Sequence, residues 1–377
     1  MNVVERTKAT FAFEPVDHLL RTCFYFWPQA IERWQREGLG EGFSGSVTAE
    51  EGQANPFQFD PSPWVGVGLE LGWVDMPFMP PYEEKVLESQ GDNDIVQDQN
   101  GQIKKVIRGL VHGFMPVYLK NCVETREDWE RDVRPRLDPD TPERWTGFEE
   151  HIAQTAPRVR AGEALVTARI IGGYMYLRDL FGPEKLLYVF YDDPELVHDC
   201  MAAWRHLMIT CLKRAQAHMP FFRFFVGEDI CYKTGPLISP DMVRTFLLPY
   251  YREVLEELRN GQQQRLYFEV DTDGNPDQVI PVYREIGLDA MSPFEVAAGC
   301  DVVRIGREYP DLVIRGGIDK RILAAGPEAI ETELQRIMPV MVERGGYIPS
   351  CDHGVPHDVS LASYQYYRDR VVELDGR

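Results

Sequence analysis

Between Phe222 and His353 the chain returns five times to one arrangement: a short apolar run, then a carboxylate or an imidazole, then a turn. The runs read FRFFVGED, RLYFEVDTDGN, GLDAMSPFE, LVIRGGID and GGYIPSCDH. They deliver Glu228 and Asp229, Asp271 and Asp273, Glu295, Asp319, and Asp352 with His353. These are residue types that move protons, hold cations or ligate metals. In a strand Glu269 and Asp271 fall on one face, because side chains alternate. If the strand continues, Asp273 joins them. Asp271 and Asp273 together suit proton transfer or a divalent ion. The plainer alternative is that Asp273-Gly274-Asn275 is only an Asx-type turn.

The segment PSCDHGVP places Cys351, Asp352 and His353 side by side. A Cys thiolate and a neutral His nitrogen ligate zinc, and Asp can join them. Direct neighbours cannot all reach one ion, so at most two of the three are expected at one metal. His353 could instead be a general acid. The alternative is a structural turn with a capping Asp and a buried free thiol. Glu228 and Asp229 are expected on a pocket rim, with Lys233 near enough in sequence to pair with one of them. In IGGYMYLRDLFG, Tyr174 and Tyr176 either line a pocket or fill the core, and Arg178-Asp179 reads as an internal pair. Asp319 in GGIDK either binds a polar ligand or caps the helix that follows. Glu295 is a further candidate for substrate contact. The sequence holds no GxSxG, P-loop or HExxH motif.

The elements that must position these groups follow from the rhythm of the chain. In a parallel β/α barrel every strand points the same way, so residues just past the strands meet at one mouth. From about Glu163 onward strand and helix patterns alternate every ~25–45 residues, the spacing of βαβ units. Asp193-Pro194-Glu195, Ser239-Pro240-Asp241 and Gly326-Pro327-Glu328 read as helix starts. Ile330, Leu334, Ile337, Met338 and Met341 share one helical face. Upstream, a helix is expected over Val3–Phe11, a first barrel strand over Leu19–Phe26 and a helix from Pro28. Residues 85–117 alternate in short runs around Asp98-Gln99-Asn100-Gly101, a hairpin signal. The expected architecture is α/β: a (β/α)8 TIM barrel with an N-terminal extension and a small β insertion at about 85–117, forming a single domain over residues 1–377.

The 377 residues carry a formal net charge of −20, with 44% apolar and 27% charged residues. Such acidity opposes binding to nucleic acid, which needs a basic footprint, and to anionic membranes. Seven cysteines without a CxxC fit a reducing cytoplasm better than a disulfide framework. No segment has the length and apolarity of a membrane span or a signal peptide. A cytoplasmic protein acting on a small molecule is expected.

Several longer strings carry a resemblance: GPLISPDMVRTFLLPYYREV, VDTDGNPDQVIPVYREIGLDAMSPFEV, RGGIDKRILAAGPEAI and GGYIPSCDHGVPHDVSLASYQYY, with VVERTKATFAFEPVDHL at the start. The chain resembles the uroporphyrinogen decarboxylase superfamily. The resemblance implies a (β/α)8 barrel with its pocket at the strand ends, and a homodimer. His353 matches the histidine of the decarboxylase's GHG motif. The arginine-rich RQAGR motif of that enzyme is replaced by RTCFYFWPQAI, where Arg21 is the nearest cation. The resemblance therefore runs closer to a second branch, the zinc-dependent methyltransferases that work with corrinoid proteins. By that likeness Asp271, Asp273 and Cys351, with Glu228, are the expected ligands of Zn2+ or another divalent metal. The expected activity is metal-dependent methyl transfer between a small methylated compound and a corrinoid or thiol acceptor, with a cobalamin-carrying protein as partner. Two alternatives stand beside it. One is a metal-free decarboxylase or lyase on a carboxylated or porphyrinogen-like substrate, with His353 as proton donor and Asp271 or Asp273 holding a cationic intermediate. The other is a barrel that only binds a corrinoid partner.

Overall fold

The computed structural model describes residues 1–48, 54–108 and 116–375. Seven parallel strands form its centre: β1 (Trp64–Val65), β2 (Leu165–Ile171), β3 (Phe221–Gly227), β4 (Tyr267–Thr272), β5 (Ala290–Pro293), β6 (Val313–Arg315) and β7 (Tyr347–Ile348). Each pairs with the next in chain order, which curls the sheet into a barrel wrapped by helices. Residues Leu19–Phe26, expected as the first strand, fill the gap between the two outer strands without a full ladder. Phe26 bridges Val355 in parallel, and Arg21 O accepts from Asp60 N at 2.8 Å. The ladder is incomplete because side chains take its donors. Asp375 accepts from Leu19 N and Asp60 from Arg21 N.

Alternation sorts the barrel interior into layers. At the bottom Leu20, Tyr267, Ala290, Val313 and Ile348 pack against Phe11 from the helix Val3–Ala12. That helix, the expected N-terminal extension, begins in a capping box of Asn2 with Glu5. Above it Arg223 reaches Glu269 Oε2 at 2.7 Å and Thr167 Oγ1 at 3.1 Å. An inward charge on β3 is thus matched by one on β4. One step further along β2, β4 and β6 come Arg169, Asp271 and Arg315, with Ser292 of β5 in register with Asp271.

The outer helices follow their spacing. Pro327–Arg344 buries Ile330, Leu334, Ile337, Met338 and Met341. Asp193, Ser239 and Ser360 cap the helices after them through their side chains. Gly173–Phe181 is a helix packed so deeply that eight of its nine residues are buried. The insertion is a four-stranded antiparallel sheet of Lys85–Gln90, Asn93–Gln97, Ile103–Ile107 and Val117–Lys120. The Asp98–Gly101 turn joins its middle strands, with Asp98 Oδ1 accepting from Asn100 N and Gln102 N. Part of the expected insertion, 109–115, lies outside the described residues.

Candidate active site

A cavity of about 460 Å3 opens at the strand ends and is bordered by Asp271, Asp273, His353, Arg169 and Arg315. Tyr25, Phe24, Trp73, Met175 and Phe225 supply its apolar walls, and Glu228 and Asp229 complete its edge.

Asp271 is the second-last residue of β4 and is half-buried. Ser292 Oγ donates to its Oδ2 at 2.5 Å. Burial lifts the carboxyl strongly, the serine bond opposes this, and the charge of Asp273 lifts it further, so that it titrates at about 7. Asp273 stands 3.4 Å from His353 Nε2. Burial pulls the His353 imidazole down, but the bond and charge of Asp273 outweigh it and the net shift is upward. Tyr25 Oη lies 3.1 Å from His353 Nδ1, and its ring meets the imidazole edge to face. A carboxyl lifted to about 7 and an imidazole lifted above its ordinary value therefore share one cavity.

The arginines are the residues that sequence reading missed. Arg169 lies over the Trp73 ring at 4.0 Å, and burial lowers its pKa. Arg315 lies over Phe24 at 4.6 Å and gives one bond to Cys23 O at 3.2 Å. A signal was available: each is the single charge in an otherwise apolar strand, LVTARII and LVIR, at an inward position.

Other expected site residues are occupied elsewhere. Glu228 is fully buried; its Oε1 accepts from Tyr174 N at 2.9 Å and its Oε2 from the Tyr251 hydroxyl. It anchors the first turn of helix Gly173–Phe181, where a negative charge is favoured. Gly172 must lack a Cβ there, because one would collide with Glu228 Oε2. Burial raises the Glu228 carboxyl. Asp229 binds Arg178 Nη1 at 2.5 Å, with its backbone in the left-handed region at φ 43°. The expected pairing of this acid pair with Lys233 is thus replaced by Arg178, which the helix after β2 brings across. Arg178 lies farther from Asp179, at 3.8 Å. Glu295 accepts from Gly274 N at 2.9 Å and from Lys320 Nζ at 3.1 Å. Asp319 caps helix Lys320–Ala325 through Arg321 N and grips the Arg321 guanidinium. Asp352 accepts from Val296 N and Lys320 N, tying three loops together. Tyr174 and Tyr176 are core residues; Tyr176 donates to Cys200 O, and burial pushes Tyr174 up to about 12.

The expected metal set does not converge. Among the described residues no three His, Cys, Asp or Glu side chains are placed to hold a metal ion. Cys351 is fully buried and bridges Ile318 in parallel, outside the lining of the cavity that Asp271 and Asp273 border. Both Glu228 oxygens are already bonded.

The family model for uroporphyrinogen decarboxylase (URO-D) matches residues 111–374. The chain belongs to the uroporphyrinogen decarboxylase family. The uroporphyrinogen decarboxylase of Rhodococcus erythropolis is 32% identical over 189 residues, 46% of this chain and 48% of that protein. That of Nocardia farcinica is 25% identical over 202 residues, 51% of this chain and 52% of that protein. The chain thus spans about half the length of the curated relatives it matches. The solved structure of a methyltransferase from Methanosarcina mazei superposes with a TM-score of 0.55 over 98% of this chain and 99% of that one, at 12% identity. This likeness is one of fold and extends end to end. Among the described residues no helix is long and apolar enough to cross a membrane.

Proposed function

We propose that this family member is an acid–base enzyme that removes carbon dioxide from a small carboxylated substrate without a metal. One observation carries the reading: Asp271 and His353, both shifted upward so that each holds its proton longer, border the same cavity as Arg169 and Arg315. Guanidinium groups bind carboxylates in a planar fork. The arginines hold the substrate carboxylate over the strand ends. Protonated Asp271 gives its proton to an electron-accepting atom of the substrate. The bond to the carboxylate carbon then breaks, its electron pair neutralises that atom, and carbon dioxide leaves. The imidazolium of His353, held by Asp273, protonates the carbon left behind, and the accepting atom returns its proton to Asp271. The net change is RCOO− + H+ → RH + CO2.

The test is carbon dioxide release from a panel of small carboxylates, run in heavy water. One deuterium should enter at the vacated carbon, and Asp271→Asn and His353→Gln should each slow release about 100-fold or more. Full activity in both folded variants would sink the mechanism.

A second reading is methyl transfer from a small methylated acid to a corrinoid or thiol acceptor, with a corrinoid protein as partner. The end-to-end likeness to a methyltransferase fold supports it. Here His353 would protonate the demethylated group. Methylated acceptor in the mass spectrum, with no carbon dioxide, would favour this reading over decarboxylation.

A further inference from the structure

A second, smaller chamber of about 240 Å3 lies at the seam of the barrel, where Leu19–Phe26 stands in for a full strand. Arg21, Arg223 and Arg315 border it, together with Thr7, Ser62 and Trp64. Three cations around one small space are unexpected in a chain of net charge −20.

Their partners leave charge over. Arg223 is matched by Glu269. Asp60, the carboxylate on the chamber wall, accepts from Arg21 N at 2.8 Å and from Arg6 Nη1 at 3.3 Å. Arg21 Nη2 lies 3.9 Å from Asp375 Oδ2, and both Asp375 oxygens already accept from Leu19 N. The Nε atoms of Arg21 and Arg315 are buried and have no hydrogen-bond partner. A buried guanidinium without a full complement of acceptors is costly, and an oxyanion supplies both the acceptors and the opposite charge. The chamber is smaller than a typical organic-ligand pocket and is roomy for a tetrahedral or planar oxyanion.

We propose that the seam chamber is a binding site for one small oxyanion, a phosphate or a carboxylate, held between Arg21 and Arg315. The site is separate from the acid–base pair: neither Asp271 nor His353 borders it. Arg315 borders both the chamber and the mouth cavity, so the two sites are told apart by Arg21, which borders only the chamber, and by Arg169, which borders only the mouth.

The experiment is calorimetric titration of the intact protein with inorganic phosphate and, separately, with acetate. A saturable site that depends on Arg21 and survives Arg169→Met is expected, and the tighter of the two anions identifies the source. Arg21→Met should weaken it at least about tenfold, the scale of one charge-assisted contact. Arg21→Lys should recover part of the loss. Asp273→Asn, at the mouth, should leave it unchanged. Should Arg21→Met fail to fold by circular dichroism, Ser62→Trp decides, since it fills the chamber from its exposed rim and should abolish binding. No saturable binding of either anion to the unmodified protein would overturn the proposal. So would wild-type affinity in folded Arg21→Met or in Ser62→Trp.

Discussion

The acids at the strand ends fall into two groups that the sequence writes in the same way. Asp271 near the end of β4 and Asp273 just past it open onto the mouth cavity with capacity to spare. Asp271 takes one bond from Ser292, and Asp273 faces His353. Glu228, Glu295, Asp319 and Asp352 follow neighbouring strands, yet backbone amides and cations occupy their oxygens. The first group keeps its proton chemistry; the second holds the loops that shape the cavity. What separates them is the number of donors that the fold aims at each carboxylate. A strand-end acid stays available for chemistry only where the next loop turns its amides away.

The sharpest break of this contrast is kinetic. Asp271→Asn or His353→Gln should lower the rate by about 100-fold or more, the usual share of a positioned acid or base, without loss of the fold. Glu228→Ala should do the opposite. It strands Tyr174 N and the Tyr251 hydroxyl in the core and should cost about 2 kcal/mol, read by urea denaturation. If Glu228→Ala were as stable as the parent, or Asp271→Asn as active, the division would fail.

Arg169 sharpens the mouth side. Arg169→Met keeps much of the packing on Trp73 and removes the charge. It should raise KM about tenfold or more for a carboxylated substrate, with a smaller change in kcat.

Titration refines the contrast further. Asp271 titrates at about 7 in the fold, above the ordinary carboxylate range. Its contribution to stability is complete below that range and is lost as the pH rises through about 7. Asp271→Asn should therefore melt higher than the parent at about pH 8, and this gain should vanish in acid. The mechanism needs both acids protonated, so activity should fall above neutrality. Asp273→Asn removes the group that raises His353 and leaves burial, which lowers it. The imidazole should then titrate below the ordinary histidine value, as followed by NMR. An unchanged titration would show that Asp273 does not set it.

Much of this was legible in the chain. Helix starts at Asp193, Ser239 and Gly326 follow from capping chemistry, and the inward face of Pro327–Arg344 from spacing. The gathering of Asp271, Asp273 and His353 at one cavity follows from strand alternation and barrel geometry. Two things were hidden. Whether an acid is free depends on amides from other loops, such as Val296 N and Lys320 N at Asp352. No local pattern encodes those contacts. Arg169 and Arg315 were visible as lone charges in apolar strands, but their aim into the cavity required the register of several strands at once. Cys351 shows the converse: a residue type suited to zinc that the fold buries outside the cavity bordered by Asp271 and Asp273.

The smallest expected effect tests the occupied group at its simplest member. Asp319 accepts from Arg321 N at the start of helix Lys320–Ala325, and the Arg321 guanidinium holds its carboxyl below the ordinary range despite burial. Burial acts to raise that carboxyl; the two bonds from Arg321 win. Asp319→Ala should cost about 1 kcal/mol, the worth of an N-cap, and Asp319→Asn only part of it, because the amide oxygen can still cap. Because this carboxyl is lowered, its contribution should be present at neutral pH and fade as the pH falls through its folded value. Neither variant should move KM. A change in KM without loss of stability would transfer Asp319 from the group that builds the loops to the group that meets the substrate.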